Sequence, residues 1–77
     1  MTRPPRAGGK EIVSALRRGG FRVSHVRGSH HYLRKPGAAA LVSVPVHGNR
    51  TLPAGTLSSI LRQSGLTTEE LSRLLRG

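Results

Sequence analysis

Closely spaced glycine-containing breaks leave the strands of this chain little topological choice. Gly19-Gly20 ends one apolar-periodic segment, Arg27-Gly28-Ser29 separates two strand-like segments, and Lys35-Pro36-Gly37 separates the second from a third. A parallel pair needs a crossover of roughly a dozen residues or more, whereas antiparallel neighbours need only a turn. The spacing therefore favours an antiparallel meander with helices packed on one face, leaving the other face free to be polar.

Between these breaks the periodicity changes in step. Ile12, Val13 and Leu16 fall on one face of a helix over residues 10–18, with Glu11 in its first turn, Arg17-Arg18 in its last and Gly19-Gly20 as its stop. Phe21-Arg22-Val23-Ser24-His25-Val26 has strand period, with Phe21 and Val23 on one face and Arg22 and Ser24 on the other. Across the Arg27-Gly28-Ser29 hairpin, alternation in the next strand puts His30, Tyr32 and Arg34 on one face and His31 and Leu33 on the other. Leu41-Val42-Ser43-Val44-Pro45-Val46 is a third strand, and Pro45, which has no amide to donate, must face an edge or the strand end. A helix over residues 56–64, with Leu57, Ile60 and Leu61 as its stripe, ends at Gly65. Thr67 and Glu70 form a capping box, stapled by Leu66 and Leu71, for a short last helix. The expected order is helix, three strands, helix, short helix. Residues 1–9, with prolines, glycines and arginines and no apolar period, read as a flexible basic tail before a domain over residues 10–77.

The 77 residues fit one domain. A chain near this size hides only about 60% of its unfolded surface, and with no cysteine no disulfide reinforces the small core. No apolar run approaches the ~20 residues of a membrane span, and no secretory signal is evident, so a cytoplasmic protein without a membrane partner is expected.

Charge narrows the partner. Thirteen Lys and Arg face three acids, Glu11, Glu69 and Glu70, for a net charge of +10. Such a field attracts polyanions, nucleic acid first among them. The same count argues against metal-dependent nuclease chemistry, which needs carboxylates to hold hard cations beside phosphate, because helix starts account for all three acids. His25, His30, His31 and His47 lack the spacing of a zinc site. No metal and no cofactor are expected.

Metal-free RNA cleavage needs less. The 2′-hydroxyl attacks the adjacent phosphate once a base takes its proton, an acid protonates the leaving oxygen, and cations stabilise the added charge. Imidazole suits both proton roles. DNA lacks the internal nucleophile, and no DNA binding by this chain alone is expected. The parts present are His30 and His31, with Arg27, Arg34, Lys35 and Arg50 as neighbours, Ser29 to bond a phosphate, and Gly28 to permit close backbone approach. His47 could return to the His30 end of the sheet through the Pro45-Val46-His47-Gly48 loop, while His25 reads as a plain strand residue and Tyr32 as packing ahead of stacking on a base. From composition and spacing alone, a non-catalytic RNA-binding module stands ahead of an enzyme.

The ordered blocks add to this. Gly20-Phe21, Arg27-Gly28-Ser29-His30-His31-Tyr32, Val44-Pro45-Val46-His47-Gly48-Asn49, Gly55-Thr56-Leu57 and Ile60-Leu61-Arg62-Gln63-Ser64-Gly65-Leu66 together resemble HicA toxins, the mRNA interferases of bacterial HicA/HicB toxin–antitoxin systems. The resemblance spans roughly residues 9 to 76 and leaves out the Pro-Arg tail. It implies an α+β fold similar to a double-stranded-RNA-binding domain, α-β-β-β-α, with a three-stranded antiparallel sheet. It implies ribosome-independent, metal-independent endoribonuclease activity on mRNA, with the histidine after Gly-Ser, His30, as the catalytic residue. It implies a HicB-type antitoxin that covers that histidine. It does not supply the complementary acid or base.

Overall fold

The computed structural model describes residues 5–77; of the expected tail, residues 1–4 lie outside the described residues. The elements run α1 (Gly9–Arg18), β1 (Arg22–Arg27), β2 (His30–Arg34), β3 (Leu41–Pro45), α2 (Ala54–Ser64) and α3 (Thr68–Arg76). The strands form one antiparallel sheet in the order β1-β2-β3, open at both edges. This is the α+β, double-stranded-RNA-binding-domain-like order α-β-β-β-α, extended by one short helix.

Local chemistry explains the element ends. At the end of α1 the Gly20 amide bonds the Arg17 carbonyl at 3.1 Å and the Phe21 amide bonds the Leu16 carbonyl at 3.0 Å. These are the two bonds of a Schellman motif, with Gly20 supplying the left-handed residue at φ 98°. Phe21 is spent on this cap and buries against the core, so β1 begins one residue later, at Arg22. At the start of α3 the expected capping box is complete. Thr67 Oγ1 accepts from the Glu70 amide at 3.1 Å, and Glu70 Oε1 accepts from the Thr67 amide at 2.9 Å. The amide bond, then the hydroxyl, holds the Glu70 carboxyl below the ordinary carboxylate range. The helix expected from Thr56 starts earlier, at Ala54, with Pro53 at its N-cap and the Leu57 amide bonding the Pro53 carbonyl at 3.0 Å. Proline suits such a position because its fixed φ is compatible with the helix entry and no amide is lost.

The core lies between one face of the sheet and the helices. Ile12, Ala15 and Leu16 of α1, Leu33 of β2, Val42 and Val44 of β3, Leu57 and Ile60 of α2 and Leu71 of α3 are buried, with Phe21 and Ala7. The burial of Leu33, Val42 and Val44 follows strand alternation, which places the helix layer on one side. α2 lies along β3, α1 spans β1 and β3, and α3 packs on α1. The Arg18 guanidinium donates to the Leu74 carbonyl at 2.8 Å and ties the ends of α1 and α3 together.

The ordered core begins earlier than the basic-tail reading expected. Ala7, Gly8 and Gly9 are buried. The Leu52 amide donates to the Ala7 carbonyl at 2.9 Å, and Gly8 bridges Thr51. Gly9 opens α1 directly against β3, where a Cβ would collide with the Pro45 carbonyl oxygen. Glycine is needed there because two backbones meet. Glu11 Oε1 accepts from the Gly8 amide at 3.0 Å and supplies the helix start with its capping bond. No described helix is long and apolar enough to cross a membrane.

Candidate functional site

Residues directly opposite in an antiparallel pair share a face of the sheet. Tyr32 is opposite His25 and Ser43, His30 is opposite Arg27 and Pro45, and Arg34 is opposite Arg22 and Leu41. These residues line the face turned away from the helices. That face carries three arginines, two histidines and a tyrosine and no acid.

His30 is the first residue of β2 and is exposed. A two-residue turn, Gly28-Ser29, sets its position, closed by the Arg27–His30 pair. Gly28 takes φ 57°, and no described non-glycine residue has positive φ, so the turn follows the type II′ pattern whose twist suits a hairpin. The Val46 amide donates to the Ser29 carbonyl at 2.6 Å, fastening the end of β3 to the hairpin. His30 thus stands between Arg27 on one side and Pro45 on the other, on a strand anchored by buried Leu33.

The neighbouring histidine differs completely. His31 is opposite Val26 and Val44, on the helix side, as alternation requires. It is half-buried, and its Nδ1 is buried without a hydrogen-bond partner.

His25 is the residue that sequence reasoning missed. The register of β1 shifts between Val23 and His25, leaving Ser24 as a bulge. Val23 is opposite Leu33 and shares its face, while His25 is opposite Tyr32 and moves to the open face. The His25 and Tyr32 rings stack at 4.5 Å between centroids and 9° between planes. His30 lies 6.4 Å from Tyr32 at 29°. Ser24 Oγ sits 3.1 Å from His25 Nδ1, either donating to it or accepting from it according to the tautomer. A signal for this existed: a two-residue turn closed by Arg27 and His30 counts back to His25 opposite Tyr32.

The other expected site residues fall into two groups. Arg27, Gly28 and Ser29 adjoin His30. Arg34 shares its face but stands at the other end of β2, roughly 13 Å along the strand. Lys35 lies beyond it and turns to the core side, with Nζ 5.8 Å from the Phe21 ring centroid, by Glu70 and Arg73. Arg50 and His47 belong to the turn after β3, which the Arg50 amide closes on the His47 carbonyl at 3.1 Å. Both line a shallow cavity of about 250 Å³ with Pro45, Thr51, Leu52, Pro53 and Thr56. Pro45 is the wall shared with His30's strand pair. Among the described residues no three His, Cys, Asp or Glu side chains gather as a metal site.

This face combines exposed imidazoles able to take or give a proton with fixed guanidinium charge that draws an anionic ester. Comparison with protein families bears on what it does. The family described as HicA toxin of bacterial toxin-antitoxin matches residues 9–66, from the first residue of α1 through the loop before α3. A comparison with individual curated proteins gives no match. The matched span contains the whole sheet, the Gly28-Ser29 hairpin and the turn after β3, and the chain belongs to the HicA toxin family of bacterial toxin–antitoxin systems.

Proposed function

We propose that this toxin is an mRNA interferase, a metal-independent endoribonuclease that cleaves RNA with His30 and is held inactive by a HicB-type antitoxin. The observation that carries the reading is the setting of His30: exposed, on an acid-free face, paired with Arg27 and fixed by a hairpin turn. Strand scission in RNA requires proton transfer at the 2′-hydroxyl and at the leaving 5′-oxygen, with cationic support for the phosphorane-like charge. His30 transfers one of these protons. Arg27 stabilises the phosphate, Gly28 and Ser29 let the RNA backbone approach the turn, and Arg34 and Arg50 extend the contact along the sheet and loop, while Lys35, turned toward Phe21 on the helix side, stays outside it. The family implies an antitoxin partner, and a HicB-type antitoxin that covers the open face would block His30 and neutralise its arginines together. Such a system works in the cytoplasm, where its mRNA is.

Single-stranded RNA incubated in EDTA with the purified chain should be cut, and His30→Ala should lower the rate by at least about 10²-fold, the usual contribution of a positioned acid or base. Full activity in a folded His30→Ala protein would remove His30 from the chemistry. A non-catalytic RNA-binding module is the second reading, favoured by the stacked His25–Tyr32 pair among arginines. It predicts salt-sensitive binding with no product at any protein concentration.

A further inference from the structure

We infer that His25 is the second proton-transfer residue, working with His30 across the open face on one scissile phosphate; this rests on the ribonuclease reading above. His25, Tyr32, His30 and Arg27 form the corners of one patch, because His25 pairs with Tyr32 and Arg27 pairs with His30 on alternate rungs of the β1–β2 ladder, with the Val26–His31 rung between them turned to the other face. The two imidazoles occupy the diagonal. Diagonal neighbours in an antiparallel pair lie roughly 7–8 Å apart at the backbone, which leaves room for a phosphodiester between the rings. Arg27 occupies the corner beside both, where added charge on phosphorus needs a cation.

Three features distinguish His25 from an ordinary strand histidine. Without the bulge at Ser24, the register at Val23–Leu33 would run on to Ser24 opposite Tyr32 and turn His25 to the helix side. Its ring is not free to swing, being stacked on Tyr32 at 4.5 Å and 9°. Its Nδ1 is held by Ser24 Oγ at 3.1 Å, which leaves Nε2 for an outside partner. A hydroxyl can accept from a protonated Nδ1 or donate to an unprotonated one, so the Ser24 bond survives either state of the imidazole. The titratable and charged groups that share the open face with His25 are Tyr32, His30 and Arg34 from β2 and Arg22 and Arg27 from its own strand.

The balanced step is a transesterification. One imidazole takes the 2′-hydroxyl proton as the O2′–P bond forms. The other gives its proton to the 5′-oxygen as the P–O5′ bond breaks. The products are a 2′,3′-cyclic phosphate and a 5′-hydroxyl, with no oxidant, metal or water consumed.

The test measures kcat and KM on a single-stranded RNA oligonucleotide in EDTA across pH, for wild type, His25→Phe and His25→Ala. His25→Phe keeps an aromatic ring to stack on Tyr32 and removes the proton-transfer group together with its bond to Ser24. The expected result is a bell-shaped wild-type profile, and in both variants a fall in kcat of about 10²–10⁴-fold with one limb of the bell lost and KM little changed. Added imidazole should restore part of the rate to His25→Ala. His25 is exposed, so both variants should keep the wild-type circular dichroism spectrum. Wild-type kcat and an intact bell in His25→Phe would overturn the proposal. So would a defect confined to KM, which would make His25 a stacking residue. Absence of cleavage by wild type would instead remove the ribonuclease reading, and this proposal with it.

Discussion

His30 and His31 are adjacent on one strand and share almost nothing else. The first stands exposed between Arg27 and Pro45, on a face with no acid. The second lies between Val26 and Val44 on the helix side, with a buried Nδ1 that bonds to nothing. Residue type is identical, so the difference comes entirely from strand period and from what covers each side. The covered face is a packing problem: apart from His31 its side chains are apolar, and their changes should be read in stability. The open face is a charge and proton problem, and its changes should be read in what the protein does to an anion. In a domain whose core is so small, the two are separated by the thickness of one sheet.

The covered face gives the largest stability effect. Leu33 is fully buried at the centre of the sheet, one residue from Tyr32. Leu33→Ala should cost about 2–5 kcal/mol, enough to unfold much of a marginal domain, and denaturant titration would measure it. A cost under roughly 1 kcal/mol would mean the two faces are not separated as described.

Next comes the backbone contact that ties the faces together. Gly9→Ala puts a methyl group into the Pro45 carbonyl oxygen, so α1 or the end of β3 must move. A loss of about 1–3 kcal/mol is expected, as for overpacking in a core. Because Pro45 is opposite His30, cleavage should fall in the folded fraction too. Chemical denaturation and activity per folded molecule separate the two losses.

His31→Leu sharpens the contrast in the opposite direction. It replaces an unpartnered buried nitrogen with apolar surface, so stability should be unchanged or rise by up to about 1 kcal/mol. RNA cleavage should persist. A loss of cleavage with intact folding would make the covered histidine part of the chemistry.

The smallest effect is at the α3 cap. The Glu70 carboxyl is depressed in the folded state, chiefly by the bond from the Thr67 amide. Its contribution is therefore fully present above the ordinary value of 4.5 and is lost as pH falls through the lower folded value. Glu70→Gln, which can still cap but does not titrate, should show a slightly shallower loss of thermal stability on acidification than wild type.

Much of this was legible locally. The capping box at Thr67 and Glu70, the glycine stop after α1, the Gly28-Ser29 hairpin and the opposite facing of His30 and His31 each depend on a few consecutive residues, and each formed as expected. What escaped was set by non-local contact. The apolar alternation of Phe21 and Val23 and the count back from the hairpin disagree by one residue, and the bulge at Ser24 resolves them. Phe21 serves the helix cap, Val23 keeps Leu33's face, and His25 crosses to the open one. Nothing in residues 1–9 signals that Ala7 bonds Leu52 or that Gly9 meets Pro45, because those partners lie more than 35 residues away in the sequence. Tyr32, read from sequence as packing, has His25 for its close neighbour on the open face.

RNA should meet the open face and not the covered one. The most direct test follows the imidazole signals of His25, His30 and His31 by NMR while a 2′-O-methyl RNA, which lacks the nucleophile and is not cut, is added. The His30 and His25 rings should shift together as the site fills, with His31 unmoved. Movement of His31 with His30 and His25 unperturbed would contradict it.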